Sequence, residues 1–105
     1  MARLLEAATP PTAVFAAGEV LTLGVVQEAR ARALDVPSQL AVIGYADSPA
    51  ATLIEPPLTM VSVPADRAGA LAMRTLRDLI VGTKPSPQRI VLDTELVVRA
   101  SCGSH

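Results

Sequence analysis

Aromatic side chains are nearly missing from this chain: Phe15 and Tyr45 are the only two, and there is no tryptophan. A core built on ring packing is excluded, so aliphatic side chains must fill the interior. Cysteine is as scarce. With Cys102 alone, no internal disulfide can form, and nothing argues for an oxidising compartment. An excess of charge of one sign is lacking too. Nine Lys and Arg stand against ten Asp and Glu for a net charge of −1, and the basic residues are scattered. Phosphate binding needs a concentrated basic face, so these 105 residues are not expected to bind DNA by themselves. No apolar run approaches the roughly 20 residues that cross a bilayer, and Met1–Ala8 lacks the long apolar centre of a secretory leader. The expectation is a cytoplasmic protein without membrane contact.

Half of the residues are hydrophobic, which suits a buried core and argues against disorder. A chain of 105 residues is one domain at most, or part of one. Its organising stretch runs from Pro11 to Asp47. Residues 12–16 and 40–45 are short, continuous apolar runs, one entered after Pro10-Pro11 and the other after Pro37. Between them lies a helical run over residues 19–34. Two apolar strands joined by a helix read as a βαβ unit with a buried parallel sheet. In such sheets ligands gather at the carboxyl ends of the strands, here Ala17-Gly18-Glu19 and Gly44-Tyr45-Ala46-Asp47.

The rest of the chain is read against that unit. Residues 2–8 form a helix stopped by Thr9-Pro10-Pro11, because the residue before a proline is pushed out of the helical region. This is either the tail of a longer element or an ordinary short N-terminal helix. In the 19–34 helix, Val20, Leu21, Leu23, Val25 and Val26 point in nearly every direction, and a helix apolar all round needs cover on more than one side. Glu28 and Arg32 are spaced for a surface ion pair. Residues 48–57 hold three prolines and read as a loop. A third strand is expected over 59–63, then an amphipathic helix over 66–81 with Pro64 in its first turn and Gly82 at its end. Thr83–Gln88 reads as a Pro-rich loop, residues 90–92 and 96–99 as two short strands, and residues 100–105 as a frayed tail.

These residues carry a family resemblance. Pro11-Thr-Ala-Val-Phe-Ala-Ala, Gly24 within the following helix, Asp35-Val-Pro, Val42-Ile-Gly-Tyr, Pro56-Pro-Leu-Thr, and Glu95-Leu-Val-Val-Arg99 followed by Ser101 stand in one order over nearly the whole chain. Together they resemble the C-terminal half of the effector-binding domain of LacI/GalR-type transcriptional regulators. The resemblance implies the α/β class and a partial periplasmic-binding-protein-like lobe, a parallel sheet with flanking helices. Residues 1–105 would form the C-terminal portion of an effector-binding and dimerisation domain, an incomplete two-lobed fold. DNA would be reached only through a head absent from this chain.

By the same resemblance, ligand contacts fall at Gly18, Glu19, Tyr45, Ala46, Asp47 and Val63. There the sequence departs from the pattern: Gly18-Glu19 replaces Asn-Asp, Ala46-Asp47 replaces a carboxylate pair, and Val63 stands where Gln is frequent. Read as residues, Asp47 is as suited to capping a turn as to holding a ligand hydroxyl, and Glu19 suits a helix N-terminus. Tyr45 either packs its ring beneath the lobe or stacks on an effector. A dimer interface is implied at Leu21, Leu23, Val25, Leu53 and Ile54, giving a homodimer, with intramolecular burial as the alternative. Cys102 and His105 do not make a metal site, which wants three or four ligands. No nucleophile-elbow pattern surrounds Ser48. No catalytic residue, metal or cofactor is expected. The function expected is a non-enzymatic ligand-sensing and dimerisation segment, responding to a sugar or other metabolite. The alternatives are a dimerising remnant that senses nothing and a piece of a transporter's solute-binding protein.

Overall fold

In a computed structural model, residues 1–83 and 89–103 are described. The elements run α1 (Ala2–Leu5), β1 (Ala13–Ala16), α2 (Glu19–Ala31), β2 (Ala41–Tyr45), α3 (Ala50–Leu53), β3 (Thr59–Ser62), α4 (Ala65–Ile80) and β4 (Glu95–Val97), closed by a 3₁₀ turn at Ala100–Cys102. They divide into two units: Met1–Ser62 with Glu95–His105, and Val63–Thr94.

The first unit holds a four-stranded sheet in the order β1-β2-β3-β4. The expected parallel pairing is present, with Val14 opposite Val42 and Ala16 opposite Gly44. β2 and β3 are also parallel, and β4 is antiparallel to β3, with Val61 opposite Leu96. α2 lies on one sheet face through Thr22, Val25, Val26 and Ala29, all buried. The core they join contains Leu40, Val42, Leu58 and Met60, each at most 1% exposed. Gly44 has a packing reason. A Cβ there would collide with Met60 Sδ and Thr22 Oγ1, so the strand must present bare backbone for the helix to approach.

Several expectations are corrected. The sheet is not buried on both faces: β1 and β2 alternate in burial, and Phe15 on the opposite face is 59% exposed. One helix covers one face, and a period of two then decides which side chains are enclosed. α2 does carry apolar residues on more than one side: Val25 is buried inward while Val20 and Leu21 are exposed. It stops at Ala31 rather than residue 34, because Ala33 turns left-handed (φ 53°) and the Ala33 and Leu34 amides donate back to the Arg30 and Ala29 carbonyls at 3.0 and 2.9 Å. This is the 6→1, 5→2 helix stop. The loop expected over 48–57 contains the one-turn helix α3. Residues 90–92 form no strand, and the last strand is Glu95–Val97.

The tail expected to fray is instead fixed as far as Gly103. Ser101 is fully buried; its hydroxyl accepts from the Thr59 amide at 2.8 Å and donates to the Val42 carbonyl at 2.6 Å. One side chain thus satisfies a donor on β3 and an acceptor on β2.

In the second unit, α4 carries apolar residues along one side as the periodicity predicts, yet none of its residues is buried. With Ile90 and Leu92, Leu71, Ala72, Leu76 and Leu79 line a shallow apolar groove. Of the Pro-rich stretch, residues 84–88 lie outside the described residues, as does His105.

Candidate functional site

The carboxyl ends of β1 and β2 adjoin two short turns, and the backbone of each is unusual. After β1, Gly18 takes φ 151° and ψ 153°, a region open in practice only to glycine. It lets α2 start at Glu19 immediately behind the strand, and Thr22 Oγ1 donates to the Gly18 carbonyl at 2.7 Å. After β2, Ala46 is left-handed at φ 70°. The Ala46 and Asp47 amides then both turn back to the Val61 carbonyl, at 2.9 and 3.1 Å.

Two side-chain contacts join these turns to each other and to the end of the chain. Ser48 Oγ donates to Glu19 Oε1 at 2.9 Å, tying the turn after β2 to the start of α2. Arg99 grips Asp47 in a two-point fork, Nη1 to Oδ1 and Nη2 to Oδ2, both at 2.8 Å. Its Nη1 also donates to the Leu58 carbonyl at 2.6 Å, while the Arg99 amide donates to Thr59 Oγ1 at 2.8 Å. Each side chain of the ion pair is 17% exposed. The Arg99 guanidinium holds the Asp47 carboxyl below its usual value, with burial opposing and the Ser48 amide assisting; Asp47 in turn raises Arg99.

The sequence-derived ligand residues therefore separate. Gly18, Glu19, Tyr45, Ala46 and Asp47 all belong to the first unit and occupy the ends of β1 and β2. Val63 opens the second unit, just after β3. Asp47 is neither a simple turn cap nor an unengaged acceptor, since both its oxygens face Arg99. Tyr45 is 39% exposed, so part of its surface remains open at the end of β2.

Of the residues assigned to an interface, Leu21 and Leu53 are 61% and 84% exposed. Leu23 and Ile54 pack partly against the core, and Val25 is enclosed in it. Met1, Leu4, Phe15, Val20, Leu21 and Gly24 line an apolar groove along β1 and α2. Arg99 and Ser48 were missed as site residues. Arg99 did stand inside a recognised phrase, but its partner is 52 positions away and no local spacing links them. Among the described residues, no group of His, Cys, Asp and Glu could hold a metal ion, and no helix is long and apolar enough to cross a membrane.

A polar end on a parallel sheet backed by a helix is the architecture of one lobe of a ligand-binding fold. Residues 1–102 match the family described as periplasmic binding protein-like domain, and the chain belongs to that family. Among curated proteins it is similar to the HTH-type transcriptional regulator CelR of Thermobifida fusca, 42% identical over 101 residues that make up 96% of this chain and 30% of CelR. It is also similar to the HTH-type transcriptional repressor CytR of Escherichia coli K12, at 35% identity over 96% of this chain and 30% of CytR. The chain thus spans about a third of the length of these relatives. Among solved structures, a transcriptional regulator CelR–cellobiose complex superposes with a TM-score of 0.78 and 42% identity, over 86% of this chain and 28% of the other.

Proposed function

We propose that this chain is a ligand-sensing and dimerisation segment of a LacI-type transcriptional regulator, non-enzymatic and cytoplasmic. The observation that carries the reading is the tied polar end of the sheet, Glu19–Ser48 and Asp47–Arg99, in a chain 42% identical to CelR. Its effector is a small metabolite with hydroxyl donors, a sugar being the first class to test because a CelR structure is a cellobiose complex. Effector binding would act by population shift, favouring the arrangement of the regulator for which it has the higher affinity. DNA contact is not assigned to these residues, whose basic side chains are scattered. The homodimer would use Leu21 and Leu53, the two interface candidates with the most exposed apolar surface.

A thermal-shift screen of the chain against cellobiose, other sugars, nucleosides and organic acids tests sensing. A ligand that binds only the folded state must raise Tm, so a compound that does so supports the reading and a flat panel overturns it. Size-exclusion chromatography with light scattering tests association, where a monomer at tens of micromolar would sink the dimer.

A second reading, a dimerising remnant without an effector, is favoured by one observation. Gly18, Ala46 and Val63 offer no polar side chain where the resemblance implies ligand contacts. Each charge-assisted bond lost from a desolvated site costs on the order of 1–3 kcal/mol. A dimer with a flat screen is the outcome that selects this reading.

A further inference from the structure

β1 stands at one end of the sheet, and β2 is its only neighbour among the described residues. The Ala41 amide donates to the Thr12 carbonyl at 2.9 Å, and Ala13 is in parallel register with Ala41. Along a strand, successive residues turn their backbone groups to opposite sides, so Thr12, Val14 and Ala16 face β2. The N–H and C=O groups of Ala13 and Phe15 therefore point out of the open edge. Nothing guards them. Ala13–Ala16 carries no charge and no proline, whereas the opposite edge, β4, is three residues long and begins with Glu95.

The side chains of the same residues add a second feature. On the face away from α2, Ala13 and Ala41 are paired small residues, and with Phe15, Ile43 and Cys102 they line a shallow apolar dip. Phe15 stands beside it, more than half exposed.

We propose that a second copy of this chain pairs with the first along β1, antiparallel about a two-fold axis at Val14. Ala13 of each copy then lies opposite Phe15 of the other. Each such pair exchanges both hydrogen bonds, so every outward group of both strands is satisfied. Opposed residues stand side by side on one face, so each Phe15 ring settles over the other copy's Ala13 and into the dip beside Ala41. Large meets small twice, and the surface is its own complement, as a two-fold dimer requires. An unrelated extended peptide would satisfy the backbone groups but not this two-way fit. The inference rests on the dimer reading above and names its seam. Of the two interface candidates, Leu21 lines the groove beside this edge, while Leu53 follows β2.

Light scattering over a dilution series, with amide hydrogen exchange, tests the seam in the unaltered chain, Ala13→Pro, Phe15→Lys and Leu53→Glu. The unaltered chain should be a dimer at tens of micromolar. Its Ala13 and Phe15 amides should exchange more slowly as concentration rises, while those of Val14 and Ala16, bonded to β2 in either state, should not change. Ala13→Pro removes an outward donor and leaves the β2 ladder whole. Phe15→Lys puts a charge into the seam at an exposed position. Each should raise the dissociation constant about tenfold or more, and Leu53→Glu should raise it less.

A dimer whose Ala13 and Phe15 amides exchange freely overturns the seam and leaves the dimer reading standing. So does a dimer that Leu53→Glu dissociates and both edge variants spare. Protection of those amides at every concentration also overturns it, for the edge would then be covered from within the chain. Growth past the dimer does the same, since a closed two-fold pair leaves no β1 edge to extend. A monomer at tens of micromolar overturns the seam and the dimer reading together.

Discussion

The two units of this chain solve the same problem differently. Both contain a helix with apolar residues recurring at three and four positions. In the first, α2 encloses Val25, Val26 and Ala29 against β1 and β2, and the core beneath it is closed to solvent. In the second, α4 is the longer helix, at 16 residues against 13, and carries the cleaner amphipathic stripe, yet it buries nothing. Leu76, Leu79 and Ile80 remain 50–75% exposed. The difference teaches that periodicity specifies which side of a helix wants cover. What covers it is not written in that period: α2 and α4 each follow a strand after two residues, and of the two only α2 has buried residues.

Truncation in the two units offers the largest contrast. Leu40→Ala removes a side chain with no exposed surface, and about 2–5 kcal/mol of stability should be lost in denaturant unfolding. Leu76→Ala on α4, by the same method, should change stability by no more than about 0.5 kcal/mol. Equal effects would erase the distinction between the units. Next in size is Ser101→Ala, which strands the Thr59 amide and the Val42 carbonyl and should cost about 1–3 kcal/mol. Hydrogen exchange would place the loss, with faster exchange at Thr59 and little change along α4.

A pH series gives a smaller effect confined to the first unit. Because the Asp47 carboxyl is lowered from 3.8 in the folded state, its contribution is full above that unfolded value. It is lost as pH falls through the folded value. Urea midpoints should therefore decline below about pH 4, with less of that decline in Asp47→Asn. The smallest effect expected is on association: Leu21→Glu should leave Tm nearly unchanged while shifting any dimer towards monomer in light scattering.

The β1–α2–β2 unit was legible because its signals are local: apolar runs of four or five residues, a proline before each and a glycine at the turn. The C-terminal end of α2 and the one-turn α3 were not. Ala33 adopts a left-handed conformation without the glycine that would announce it, and α3 is a single turn beside Pro49. Residues 90–92 carry strand-forming side chains, but no sheet edge takes them up, and propensity alone does not make a strand. The candidate site was half legible. Its positions followed from strand ends, whereas the Asp47–Arg99 fork and the Ser101 bridges span 52 and up to 59 positions. Pairings that distant leave no trace in spacing, so an apparently loose Ser-Cys-Gly tail gave no sign of its burial.

That buried Ser101 has a consequence for how the protein comes into being. Synthesis proceeds from the amino end, and strands β1 to β3 emerge in the order in which they pair. They cannot be finished as they emerge, because β4 and the hydroxyl that bridges β2 to β3 come later, Ser101 lying 42 positions beyond Thr59. Until residue 101 is free, the nascent sheet carries an open flank and two unanswered backbone groups, so the sheet is completed only after α4 has been made.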